Sequence, residues 1–193
     1  MVQAQEKLYT IEEYLAFEEK AETKHEFDNG KIIEMPGAKF NHNTIAARII
    51  FALITALDAL QKNCIVQTSD IKIQIPAVDS FVYPDVAVIC EKPEFYADRE
   101  DVLMNPLLIV EVLSESTARY DREKKFEKYK TLSSLREYVL VAQDEPFVEA
   151  FYLHDPENEL WKISHASNIA ASVHLHSIDV TLKLEDIYKQ VFS

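Results

Sequence analysis

Only two glycines, Gly30 and Gly37, occur in 193 residues. Phosphate cradles of the P-loop and dinucleotide-binding kinds need several closely spaced glycines, so both nucleotide-binding readings fall away. Cysteine is equally scarce. Cys64 and Cys90 lie far apart, and Cys90 ends an apolar run. Two reduced, packed thiols are expected, rather than a disulfide or a metal site. There is no long apolar span, and residues 1–10 carry no signal-peptide pattern. A cytoplasmic protein without a membrane partner is the expectation. Repeats, low-complexity tracts and linkers rich in Pro, Gly or Ser are also missing. The length suits one domain over 1–193.

Positive charge is the next shortage. The formal net charge is −13, which argues against a phosphate partner unless the charge is unevenly spread. It is uneven. Between Arg119 and Arg136 seven basic residues face three acidic ones, a local excess of +4.

The elements present are those of a mixed fold. Thr10 and Glu13 form a capping box at the start of "TIEEYLAFEE". Asn29-Gly30 in "HEFDNGKIIEM" marks a hairpin. Ile45, Ile49, Leu53, Leu57 and Leu60 fall at helical spacing, with Ile50 and Ile54 widening the stripe, which predicts a core helix over 43–60. Strand-like runs follow at 65–68, 70–75, 82–90 and 107–113. A polar helix is expected over about 122–132, then strands near 137–141, 147–153 and 160–163, weaker ones in 173–182, and a short helix from Glu185. This pattern predicts an α/β (α+β) fold with one mixed central sheet flanked by helices.

Two acids look out of place. Glu111 lies inside "LLIVEVL" and shares a strand face with Leu107, Ile109 and Leu113. A buried, unpaired carboxylate is costly, so a cationic partner, hydrogen bonds, a raised pKa or a bound cation must compensate. Asp85 opens the apolar run of "YPDVAVIC", where Pro84 places it at a strand's beginning or edge. One such acid would be read as a strand-end group near solvent or a lysine's partner. Two, on neighbouring candidate strands without nearby Cys or His, favour a shared hard cation. Magnesium, or manganese, fits best.

Pro84-Asp85, an apolar interval and Glu111-Val112-Leu113 resemble the PD-(D/E)XK nuclease core. "YPDVAVIC", "LLIVEVLSESTARYDREKKFEKYK" and "LSSLREYVLV", in that order, resemble the putative restriction endonuclease family of that superfamily. "KHEFDNGKIIEM" followed by His42 resembles its opening segment. The likeness is clearest over 9–152. It implies a restriction-endonuclease-like core and metal-dependent phosphodiester hydrolysis, usually in DNA. Asp85, Glu111 and the backbone carbonyl of Val112 would be the metal ligands. It also favours Glu26 as a third acid, although a solvated acid on a short ribbon is an equal alternative. Asp70 matches a family acid or merely caps a turn. A homodimer follows by analogy.

The superfamily motif places a lysine two residues after the second acid, where this chain has Leu113. The following helix offers a replacement. Asp121, Lys125 and Tyr129 fall at i, i+4 and i+8 on one face, and the resembling family shows the same series. Lys125 is read as a migrated catalytic lysine, with Lys124 about 100° away around the helix. The plainer alternative is an ordinary ion pair worth ~0.3–0.5 kcal/mol and a tyrosine packed on the sheet. Arg119, Arg122, Lys124 and Lys128 would contact nucleic-acid phosphates. His42 is read as a helix-start residue first and a site residue second. His174 and His176 share a strand face without a third ligand, so an exposed face is expected there. A nuclease fold kept as a weakly active or inactive binding module is the competing expectation. The Leu113 departure and the acidic charge favour it.

Overall fold

Thr10 caps the first helix as its sequence predicts. Its hydroxyl accepts from the Glu13 N–H at 3.2 Å, and the Glu13 carboxylate accepts from the Thr10 N–H at 2.9 Å. A computed structural model describes residues 7–192. In chain order the elements are α1 (Ile11–Glu18), β1 (His25–Asp28), β2 (Lys31–Glu34), α2 (Phe40–Ala59), β3 (Ile65–Thr68), β4 (Lys72–Ile75), β5 (Ser80–Val82), β6 (Val86–Ile89), β7 (Val102–Leu103), β8 (Leu108–Leu113), α3 (Ala118–Tyr120), α4 (Phe126–Tyr129), β9 (Glu137–Ala142), β10 (Phe147–Asp155), β11 (Leu160–Ser167), β12 (Ser172–Leu175), β13 (Val180–Lys183) and α5 (Leu184–Ile187). A π turn over Asp121–Lys125 joins α3 to α4 in one continuous helix. At the β1–β2 hairpin Asn29 and Gly30 both take positive φ, 46° and 89°, as a tight primed turn requires.

The strands do not form one central sheet. They divide into a six-stranded sheet, β11-β10-β9-β8-β6-β3, a five-stranded sheet, β2-β1-β5-β4-β7, and the β12–β13 pair. The run read as one strand over 82–90 is two. Tyr83-Pro84-Asp85 separates β5 from β6, and Pro84 has no N–H to continue a ladder. Asp85 therefore stands where the chain passes from one sheet to the other.

The six-stranded sheet has two apolar faces. Val86, Val88, Leu108, Val110 and Val112 pack with Ile45, Ile49, Leu53 and Leu57 of α2. Ala87, Ile109, Leu113, Tyr138 and Leu140 pack with Phe126 and Tyr129 of α4. Four residues of the expected α2 stripe, Ile45, Ile49, Leu53 and Leu57, are buried, each contributing about 1.5–3 kcal/mol, whereas Leu60 and Ile54 are exposed, because Leu60 lies past the last helical turn and Ile54 on the face turned from the sheet. Contrary to the reading of no apolar span, α2 has the length and composition of one. Its buried stripe nonetheless packs on the sheet.

Cys64 and Cys90 form a disulfide, against the expectation of two thiols. The cause is register. Antiparallel pairing sets Ile65 opposite Ile89, which brings the next residues outward, Cys64 and Cys90, face to face with Cα atoms 3.9 Å apart. Sequence separation carries no trace of this.

Glu137 is a buried acid that the sequence reading did not single out, fully enclosed at the start of β9. Its carboxylate accepts from the His176 N–H, the Ser177 N–H and the Ser177 hydroxyl at 3.0, 2.9 and 2.7 Å. Burial raises its pKa, and these bonds oppose the rise. The three donors sit in the turn between β12 and β13, so Glu137 fastens that pair to the main sheet. Glu137→Ala is expected to cost about 3 kcal/mol by orphaning them. Urea unfolding checks this, and a loss below about 1 kcal/mol would contradict the role.

Candidate active site

β6 and β8 are antiparallel neighbours with Val86 opposite Val110. One step outward, that register sets Asp85 opposite Glu111. Both acids, with His42, Asp121 and Lys125, line one cleft of about 430 Å³ between the β2–α2 loop, the start of β6 with the end of β8, and the α3–α4 helix.

Asp85 is held from two sides. Its Oδ2 accepts the Val112 N–H at 2.6 Å, and its Oδ1 lies 2.9 Å from His42 Nε2. The carboxylate accepts, so Nε2 carries the proton of that bond. His42 lies in the first turn of α2 and from there lines the cleft beside Asp85. The carbonyl of Val112 faces the same strand edge as its N–H. Extending the register by two sets Val112 opposite Pro84, which has no proton to offer that carbonyl.

Glu111 projects from the β8 face that packs on α4 and is 3% exposed, as is Lys125. Lys125 Nζ lies 3.0 Å from Glu111 Oε1, 3.3 Å from Glu26 Oε1 and 3.8 Å from Asp121 Oδ1. It also donates to the Tyr83 carbonyl at 2.9 Å. Burial alone would lower the ammonium pKa, but Glu111, Glu26 and Asp121 outweigh it and hold Lys125 well above its ordinary value. Burial raises the Glu111 carboxyl well above the usual range. Lys125 opposes that, while Asp121 and Asp85 add to it. Asp121 is raised by burial as well, against Lys125 and a bond from Thr117.

Four acids thus gather around one lysine and one imidazole. This surplus of negative charge favours a cation. Among the described residues, no three His, Cys, Asp or Glu side chains form a ready-made metal site. The donor set is two carboxylates and a carbonyl, all oxygen, which suits a magnesium ion that keeps several waters.

The structure does not bring every candidate into the cleft. Asp70 is exposed and pairs with Lys24 at 2.6 Å on the rim. Tyr129 is fully buried beneath the site and packs on Tyr138. The basic island is largely engaged: Arg119 pairs with Glu123, Arg122 with Glu149, and Lys128 with Asp28. Lys124 is exposed.

Two residues escaped the sequence reading. Tyr83 offers its carbonyl to Lys125, and its position before Pro84-Asp85 was a usable signal. Tyr120 donates to Glu26 Oε2 at 2.9 Å and gives no such signal. It meets Glu26 beside the π turn, a local widening that often marks functional sites.

Comparison with known proteins places the chain. Residues 11–184 match the family model described as Uma2, putative restriction endonuclease. An uncharacterized protein of Synechocystis sp., sll1609, is 39% identical over 143 residues, 74% of this chain and 80% of that protein. A second from the same organism, slr1290, is 34% identical over 180 residues, covering 92% and 90%. A crystal structure described as a putative nuclease belonging to DUF820, from Anabaena variabilis, aligns with a TM-score of 0.75 at 17% identity, covering 95% of this chain and 99% of that one. The shared fold is restriction-endonuclease-like.

Proposed function

Because this chain belongs to the putative restriction endonuclease family, we propose that it is a divalent-metal-dependent endonuclease. It hydrolyses phosphodiester bonds in DNA, as a single cytoplasmic domain that pairs as a homodimer. The observation that carries this reading is the convergence of Asp85, Glu111 and Lys125 in one cleft with an excess of acids. Asp85, Glu111 and the Val112 carbonyl would hold magnesium or manganese. When bound, the ion supplies Lewis-acid polarisation of the scissile phosphate and a more acidic water.

The protein's own groups do the rest. His42 and the Val112 N–H fix the Asp85 carboxylate. Lys125, beside Glu111, offers positive charge to the attacking oxygen or to the phosphate as negative charge develops. Glu26 and Asp121 hold the ammonium charged and in place. Surface ion pairs are weak, so incoming phosphates can displace Glu123 from Arg119 or join Lys124.

One observation favours the second reading, a nuclease fold used as a binding module. The lysine and the first acid of the site are already engaged within the protein. The Lys125 ammonium has Glu111, Glu26 and the Tyr83 carbonyl within 3.3 Å, and both Asp85 oxygens are engaged. Leu113 also fills the usual lysine position.

Supercoiled plasmid incubated with Mg²⁺ or Mn²⁺, against an EDTA control, tests the proposal. Nicking is expected with metal, and is expected to vanish in Asp85→Ala, Glu111→Ala and Lys125→Ala. Nicking that survives in all three would show a contaminant. Inertness together with no calorimetric metal binding would leave the module reading.

A further inference from the structure

The face of α2 turned away from the sheet is unusually apolar. Phe40, Thr44, Ala47, Phe51 and Ile54 follow one another at alternating steps of four and three residues. That is the spacing of a seam that packs on another helix. Phe40 is 80% exposed, Phe51 67% and Ile54 43%. With about 200 Å² per phenylalanine, the two rings alone present roughly 300 Å² of apolar surface. Patches of about 300–600 Å² on a monomer are often functional.

We propose that this face of α2 pairs with the same face of a second copy, about a two-fold axis near Ala47. Three observations select a second copy. First, the chain carries −13, so copies repel across most of their surface. No acidic residue lies between Phe40 and Ile54, and the one base there, Arg48, donates to Gln190 at 2.6 Å. Second, the face is self-complementary. A hollow of about 500 Å³ lies between the Phe40 and Phe51 rings, floored by Thr44 and Ala47. With the helices antiparallel across Ala47, Phe51 of each copy meets the small residues Asn43 and Thr44 of the other, and Phe40 meets Ile54. Each copy thus supplies both ring and hollow, as a closed two-fold contact requires. Third, the area suits a modest dimer. The rings of two copies bring together roughly 600 Å² of apolar surface, the centre of a contact that stays below or near the low end of stable interfaces, about 1,200 Å² in total, so the affinity is moderate.

The pairing deepens the homodimer reading above, and its use in catalysis rests on that reading. The same helix carries His42, which reaches Asp85. A joined pair of α2 helices would therefore hold two clefts at a fixed separation, suited to the two strands of one duplex.

Sedimentation velocity on the full chain over roughly 1–100 μM is the test, since a small interface gives moderate affinity. Wild type is expected to be dimeric. Phe51→Glu is expected to weaken the dimer at least about 30-fold, with the far-UV circular dichroism of the folded chain unchanged. Ala47→Cys is expected to cross-link under mild oxidation, because Cys64 and Cys90 are already paired. A wild type that stays monomeric would overturn the proposal. So would dimers that persist in both Phe51→Glu and Phe40→Glu, or binding of wild type to phosphatidylcholine vesicles in place of itself. None of these measurements needs activity. Phe51→Glu that loses the dimer but keeps metal binding, beside Asp85→Ala that loses cleavage but keeps the dimer, separates the two readings.

Discussion

Replacing Lys125 with methionine is expected to lower the unfolding free energy by about 3–5 kcal/mol near neutral pH, the usual consequence of removing one partner from a buried charge cluster. The reason is the company Lys125 keeps. It is 3% exposed and is the cation shared by Glu111, Glu26 and Asp121. Methionine fills similar volume, so the loss reports charge and not a cavity. The sign with pH is fixed. Glu111 and Asp121 are raised in the folded state even with the lysine present. A carboxyl raised on folding contributes less stability as pH climbs above its unfolded value, near 4. The Lys125→Met deficit should therefore shrink toward pH 5 and widen toward pH 8. Adding Glu111→Gln should restore part of the loss, because it removes one of the stranded acids. Urea unfolding at the two pH values reads all of this. A deficit under about 1 kcal/mol, or one independent of pH, would mean that the acids do not depend on Lys125.

Much of this site was legible in the sequence because its parts are local. Asp85 after Pro84 and Glu111 inside an apolar strand stand out against their neighbours. The spacing of Asp121 and Lys125 puts them on one helical face whatever the rest of the chain does. The α2 stripe and the Asn29-Gly30 turn were readable for the same reason. What stayed hidden depends on register or on partners distant in sequence. The Cys64–Cys90 bond follows from strand pairing. The division into separate sheets follows from where Pro84 falls between β5 and β6. Glu137 shows the limit of reasoning from misplaced acids. It is as deeply buried as Glu111, yet its carboxylate is met by three donors from the β12–β13 turn. Glu111 is met by one shared cation and by further acids. Burial singles out both residues, and only the surroundings separate a structural clasp from a candidate catalytic group. His42 makes the same point from the other side. It lies 43 residues from Asp85, and the packing of α2 on the sheet brings the two together.

Asp85→Asn and Glu111→Gln are expected to abolish metal-dependent cleavage while leaving the metal-free protein at least as stable as wild type. Both replacements keep shape and remove a negative charge from a cluster that already has too many, so the metal-free fold should gain slightly, as sites under functional strain do. Wild type should gain more than either variant once metal is added. An ion that binds only the folded protein stabilises it by RT ln(1 + [M]/Kd), about 2.7 kcal/mol at one hundred times Kd. The order of stability should therefore invert: variants at or above wild type in EDTA, wild type above variants in Mg²⁺ or Mn²⁺. The inversion is a stronger test than lost activity, because a general folding defect lowers a variant under both conditions. It also bears on Lys125. A metal ion entering beside Glu111 competes with the ammonium for Oε1, so Lys125→Met should respond to metal with a larger stability gain than wild type despite its lower starting point. Thermal melts of the four proteins with EDTA and with each metal make the comparison. Parallel shifts in all four, or none in any, would remove Asp85 and Glu111 from the proposed cation site. Their carboxylates would then be parts of a satisfied polar network, as Glu137 is, and the binding-module reading would stand.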